Sequence, residues 1–120
     1  MRIYIAGPYN PYGRTPHDSI RVAQQNVDRA IDVANQIMDT TDHYCFVPHL
    51  SHYIHQRAKE DRGYWYMDYD FTFLEHWAEA LFVIEESPGV LKEIELAEKL
   101  GFPVFRTIED LWSYPYEELK

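Results

Sequence analysis

Apolar residues in this chain fall in short blocks between polar turns, and the period within each block separates strand from helix. Arg2 to Ala6 alternates and is rich in β-formers, so it reads as a first strand. Gly7-Pro8-Tyr9-Asn10-Pro11-Tyr12-Gly13 breaks that strand into a long turn. Val22, Asn26, Ala30, Val33, Ala34 and Ile37 then recur at helical spacing, which predicts a helix capped by Asp18 or Ser19 and running to about Met38. Tyr44 to Pro48 reads as a second strand ended by its proline. Leu50 to Gly63 is polar and rich in His, the pattern of a short helix with a loop, and Tyr64 to Trp77 is helical. Ala80 to Ile84 is a third strand, and Pro88 to Leu100 a helix stopped by Gly101. Pro103-Val104-Phe105 is a short fourth strand, followed by helical turns at Ile108 to Trp112 and Tyr116 to Leu119.

Strands alternating with helices predict an α/β fold: a Rossmann-like, doubly wound parallel sheet of about four to five strands with helices on both faces. At 120 residues the chain is expected to be a single domain over 1–120, with no repeat or linker. Right-handed crossovers place the first-strand loop and the Ser87 turn along one edge of the sheet. Ligands of open α/β sheets sit at that edge, where strands end and helices begin.

Two acidic residues stand out against this frame. Ser87-Pro88-Gly89-Val90-Leu91-Lys92-Glu93 opens the helix after the third strand, with Ser87 suited to the N-cap and Pro88 to the first helical position. Glu93 then falls near the first turn, where the helix dipole favours an ionised carboxylate. Such a carboxylate is either a nucleophile at the mouth of the sheet or a plain helix-start glutamate. Asp70 shares a helical face with Tyr66, Phe73, Leu74 and Trp77, so it is an acid inside an apolar stripe, whereas Asp68 falls on a more polar side. Burial raises the pKa of such a group and fits it for general acid work; the plain alternative is a structural pairing with Arg or Lys. Together the two suit displacement at an anomeric carbon, which needs one ionised carboxylate and one proton donor.

Other residues contribute weaker signals. Gly7 lets the backbone approach a ligand, Tyr9 offers a ring for stacking, and Arg14 offers a cation for an anion; an ordinary turn accounts for them equally well. His49, His52 and His55 recur every third residue, a metal-ligand spacing on a helix, but Pro48 and the missing Cys or acidic partner favour His49 or His52 in a polar substrate pocket, with no metal and no cofactor. No GxGxxG, GxxxxGK[ST] or Gly-x-Ser-x-Gly pattern is present, which disfavours dinucleotide, P-loop and serine-hydrolase chemistry. Lys and Arg total 11 against 20 for Asp and Glu, a net charge of -9 that argues against a nucleic acid polymer or an anionic membrane as partner. Cys45 is the one cysteine and its apolar flanks suggest an inert thiol. No signal-peptide pattern precedes the first strand and no apolar run nears the ~20 residues of a membrane span, so a cytoplasmic location is expected.

Three segments, taken together, match one family. They are Ile3-Tyr4-Ile5-Ala6-Gly7-Pro8-Tyr9; Asp70 with Leu74 after it; and Ser87-x-Gly89-x-x-x-Glu93 followed by Ala97, Gly101, Pro103 and Val104. From Arg2 to about Arg106 the chain resembles the nucleoside 2-deoxyribosyltransferase superfamily, which includes the 2'-deoxynucleoside 5'-monophosphate N-glycosidases. The run Phe46-Val47-Pro48-His49-Leu50-Ser51-His52 is similar to a branch of small proteins within it. The resemblance implies a flavodoxin-like fold, and a nucleoside or nucleotide as the small-molecule substrate. It implies attack of Glu93 on C1' of deoxyribose, with Asp70 assisting base departure or water activation. Ser87, Gly89 and the first-strand loop, with Gly7 and Pro8, are implied to contact phosphate and sugar, and a homodimer or larger homo-oligomer is implied as the assembly. Tyr4, Tyr9 or Trp65 is the candidate to stack on the base. The first loop departs from the family pattern: Pro8-Tyr9-Asn10-Pro11 stands where the monophosphate hydrolases carry small residues and an Arg, leaving Arg14 as the substitute. Three further readings stand beside this one: a ribonucleotide phosphoribohydrolase, a nucleotide-binding sensor without chemistry, and a purely structural oligomer with the aromatics at its interface.

Overall fold

The Arg2–Ala6 segment forms β1, and it is hydrogen-bonded along both edges, to β2 (Tyr44–Phe46) on one side and β3 (Ala80–Val83) on the other. These features come from a computed structural model that describes residues 1–9, 16–57, 59 and 65–115. A fourth strand, β4 (Val104–Phe105), pairs with β3, giving the order β2-β1-β3-β4 with every pairing parallel. Parallel neighbours need crossovers. Here α1 (Pro16–Thr40) joins β1 to β2, α2 (Ser51–Arg57) and α3 (Trp65–His76) lie between β2 and β3, and α4 (Pro88–Lys99) joins β3 to β4. The chain is thus an α/β protein with a doubly wound parallel sheet in the flavodoxin-like order.

Alternation along the strands divides the core in two. Ile3, Ile5, Ala80 and Phe82 pack with Ala30, Ala34 and Ile37 of α1 and Leu111 of α5 (Ile108–Trp112). Tyr4, Ala6, Leu81 and Val83 pack on the opposite face with Leu74 of α3 and Val90, Ile94 and Ala97 of α4. Helix α4 is held at both ends. Ser87 Oγ accepts the Val90 amide at 3.2 Å, and beyond the helix Gly101 takes φ 79° while the Gly101 and Phe102 amides donate to the Glu98 and Ala97 carbonyls. That two-bond closure needs a residue comfortable at positive φ, which is why the helix stops at a glycine.

Several boundaries differ from the sequence expectation. Helix α1 starts at Pro16, so Asp18 and Ser19 lie within it rather than before it; proline's fixed φ suits a first turn. Its buried stripe runs through Ala23, Val27, Ala30, Ala34 and Ile37, while Val22 and Asn26 sit at the margin and the Asn26 amide donates to the Tyr9 carbonyl at 3.2 Å. Strand β2 ends at Phe46, and Pro48 opens a 3-10 turn, Pro48–Leu50, that runs into α2. Tyr116 to Leu119 lies outside the described residues. Among the described residues no helix is long and apolar enough to cross a membrane.

Leu81 is fully buried in the layer beneath α3 and α4. Leu81→Ala is expected to cost about 2–5 kcal/mol through lost burial and a residual cavity. Urea unfolding should show a lower midpoint at an unchanged slope.

Candidate active site

The strand order reverses direction between β1 and β3, and at such a point two strand ends diverge to leave a crevice. The two chains are still tied as they leave the sheet, the Ile84 amide donating to the Ala6 carbonyl at 2.8 Å. Three ionisable side chains meet on the α3/α4 side of this region, each delivered by a different element. Tyr4 comes from β1, pointing to that face by alternation. Asp70 comes from α3, one turn before the fully buried Leu74. Glu93 comes from α4, three residues after Val90 and four before Ala97, both buried, so its side chain leaves the helix on the sheet-facing side.

Electrostatics within this group follow from burial. Asp70 is raised to about 8, first because burial penalises its charged form and second because Glu93 carries like charge. Its Oδ1 is buried with no hydrogen-bond partner among the described residues. Glu93 is raised to about 7 by burial, and the Tyr4 hydroxyl beside it pulls the value back. Tyr4 is pushed well above its ordinary value by burial, then by the charges of Glu93 and Asp70. The Tyr4 hydroxyl completes no hydrogen bond within 3.5 Å among the described residues, so it is aimed at the Glu93 carboxylate but stops short of a full bond. Among those residues neither carboxyl has an ion-pair partner; the ion pairs seen there, Arg2–Glu79, Arg29–Glu85, His76–Glu75 and Arg106–Glu86, lie at the surface. Among the described residues, then, no Arg or Lys pairs with Asp70.

Two sequence expectations change at this point. Glu93 lies in the second turn of α4, whose first turn holds no acidic residue, so burial and Tyr4 rather than the helix dipole govern it. The Tyr4 ring is fully buried and meets the Phe46 ring at 5.8 Å, so it presents a hydroxyl to the site and no open face for stacking.

The remaining candidates form a second group around the exit of β1. His49 Nε2 lies 3.0 Å from the Gly7 carbonyl oxygen and 3.2 Å from that of Pro8. The Tyr9 ring meets His49 edge-on at 6.4 Å. Ser87 is occupied as the N-cap, and Gly89, partly buried, has open space where a Cβ would stand. Arg14 and the side chains of His52 and Trp65 lie outside the described residues. No group of three or more His, Cys, Asp and Glu converges to hold a metal among the described residues, and both contacts of His49 Nε2 are backbone carbonyls. Cys45 is pushed up to about 11 by burial, which keeps it a thiol.

Sequence reasoning missed an aromatic cluster between α3 and the end of β2. Phe46 stacks on Phe73 at 4.3 Å, and Tyr69 meets Phe73 at 5.3 Å. Beyond it is an apolar cleft of about 110 Å³ lined by Phe46, Val47, Pro48, Leu50, Ser51, Ile54 and Tyr69. Period-2 reading assigned Phe46 to a strand, and only the packing of α3 against β2 brings its ring to this place. A second groove, on the outer surface over α3 and α4, is lined by Phe71, Glu75, Lys92, Glu95, Leu96 and Lys99. Neither hollow is lined by Asp70 or Glu93.

The buried carboxyls set a pH dependence. Both hold their protons more tightly folded than unfolded, where an ordinary value is about 4. Their contribution is therefore most favourable below about pH 4 and is lost as pH rises through the folded values near 7 and 8. Asp70→Asn removes this penalty. Its stability relative to the native protein should rise between pH 5 and about 9, by a few kcal/mol at the alkaline end, measured by urea unfolding at each pH. Comparison with protein-family models, curated proteins and solved structures gives no match for this chain.

Proposed function

We propose that the protein cleaves or transfers the N-glycosidic bond of a (deoxy)nucleoside or its 5'-monophosphate through a covalent glycosyl-Glu93 intermediate, as a member of the nucleoside 2-deoxyribosyltransferase superfamily it resembles. The observation that carries this reading is the pair of carboxyls, raised to about 8 for Asp70 and about 7 for Glu93, half-buried together beside the switch point of the sheet. Near neutral pH such a pair holds one proton, because like charges in a poorly solvated site resist double ionisation. The proton favours Asp70, and the Tyr4 hydroxyl favours ionised Glu93. One acid and one nucleophile then coexist, the division of labour that displacement at an anomeric carbon needs.

In the first half-reaction a Glu93 carboxylate oxygen bonds to C1' as the C1'–N bond breaks, and the Asp70 proton passes to the departing base nitrogen. In the second, water or a nitrogen of another base bonds to C1' as the Glu93–C1' bond breaks. Asp70, now ionised, takes the proton released by the incoming group, and both side chains return to their starting states. A cytoplasmic homo-oligomer belongs to the same reading through the resemblance.

Purified protein offered deoxynucleosides, their 5'-monophosphates and the ribose counterparts, with and without a second free base, should release or exchange base by chromatography. Glu93→Gln should abolish release; a variant that keeps it refutes the covalent mechanism. Ligand binding without any product would favour a sensor.

The pH profile of kcat/KM should be a narrow bell, falling below about 7 as Glu93 gains a proton and above about 8 as Asp70 loses one. Asp70→Asn should lose the alkaline limb and about 10²–10⁴-fold in rate. Tyr4→Phe should move the acid limb to higher pH, since the hydroxyl lowers Glu93.

A further inference from the structure

We infer that His49 is a positioning residue whose Nε2–H bridges the carbonyls of Gly7 and Pro8 and so clamps the chain leaving β1 against the mouth of the site. The clamp goes beyond the glycosidic reading, and only its kinetic consequence rests on that reading. Both groups facing Nε2, at 3.0 and 3.2 Å, are carbonyl oxygens, which only accept. The proton must therefore sit on Nε2, which leaves Nδ1 with a bare lone pair. Nδ1 is buried with no partner among the described residues, and the whole residue is 5% exposed. Charging the ring would bury a second N–H without an acceptor, so the imidazole stays neutral, in line with the downward push that burial gives its pKa.

The local fold explains how the ring reaches this place. Strand β2 ends at Phe46, Pro48 opens the 3-10 turn, and the turn carries His49 inward. Gly7 completes the fit: a Cβ there would stand 3.5 Å from His49 Nε2 and 3.3 and 3.4 Å from Cδ1 and Cβ of Ile84. The clamp thus joins the departures of β2, β1 and β3 at the edge where Tyr4, Asp70 and Glu93 meet. It restrains two adjacent carbonyls at once, and thereby the peptide plane between Gly7 and Pro8, on which the direction of the loop depends.

The test uses the full chain. Imidazole ¹⁵N NMR near neutral pH should show His49 as the Nε2–H tautomer; an Nδ1–H tautomer overturns the proposal. Glutamine can place its amide nitrogen near the position of Nε2, whereas asparagine is too short. His49→Gln should keep the native amide signals of Gly7 and Tyr9 and recover turnover relative to His49→Asn. His49→Asn should shift those signals and lower kcat on the order of 10–100-fold with a smaller change in KM. Should His49→Asn fail to fold, the tautomer of the native protein still decides. Gly7 and Tyr9 signals unchanged in a folded His49→Asn variant would overturn the clamp. Shifted signals in a protein that releases no base would uphold the clamp and refute the glycosidic reading, so the two failures are distinct.

Discussion

Strand β1 is paired on both sides, so all its side chains must be accommodated by the layers above and below the sheet. Only Arg2, at its start, escapes to solvent; Ile3, Tyr4, Ile5 and Ala6 are fully buried. Alternation then sends Ile3 and Ile5 to the α1/α5 layer and Tyr4 and Ala6 to the α3/α4 layer. The consequence is chemical as well as structural. One of the four carries a hydroxyl, and a hydroxyl cannot be buried cheaply without a polar neighbour. Asp70 and Glu93 are the polar neighbours that α3 and α4 supply, so the packing of β1 and the assembly of the site are one event.

Burying two carboxyls is a local loss that the rest of the fold must offset. Their raised pKa values express that loss, since each tenfold gain in proton affinity corresponds to about 1.4 kcal/mol between protonation states. The surface ion pairs do not provide the compensation, because exposed pairs such as Arg106–Glu86 contribute about 0–1 kcal/mol. Apolar burial does, through Leu74, Val90, Ile94 and Ala97 around the two acids and through the opposite layer against α1. Local violation of packing rules, supported by regular packing elsewhere, is the pattern expected of a site that does work.

Position within the helices matters as much as identity. The Ser87 cap and the Gly101 closure fix both ends of α4, which sets the rotation and height of Glu93 over the sheet. The stack of Phe46 on Phe73 fixes α3 against the end of β2 and sets Asp70 in the same way. The His49 contacts hold the third boundary, the exit of β1. Each tie comes from a different strand end, as a parallel sheet allows by bringing all its carboxyl ends to one edge.

Strands β1 and β3, the cap at Ser87, the stop at Gly101 and an acid within the apolar face of α3 were legible in the sequence, because each depends on residues within one or two turns of each other. The alternation of strand with helix likewise implied a parallel sheet. Other features were not legible, for physical reasons. The buried stripe of α1 keeps Ala30, Ala34 and Ile37 but runs through Ala23 and Val27 in place of Val22 and Asn26, because the face a helix buries is chosen by what it packs against. Glu93 is governed by burial and by Tyr4, 89 positions earlier in the numbering, rather than by its own helix terminus. Tyr4 reads as a stacking ring until the layer closes over it, and the inward turn of His49 depends on where β2 stops. Local sequence determined which elements form and which residues carry the means for chemistry. Tertiary structure alone decided which of those residues meet and which proton each holds, because burial and through-space charge act between elements distant in the chain.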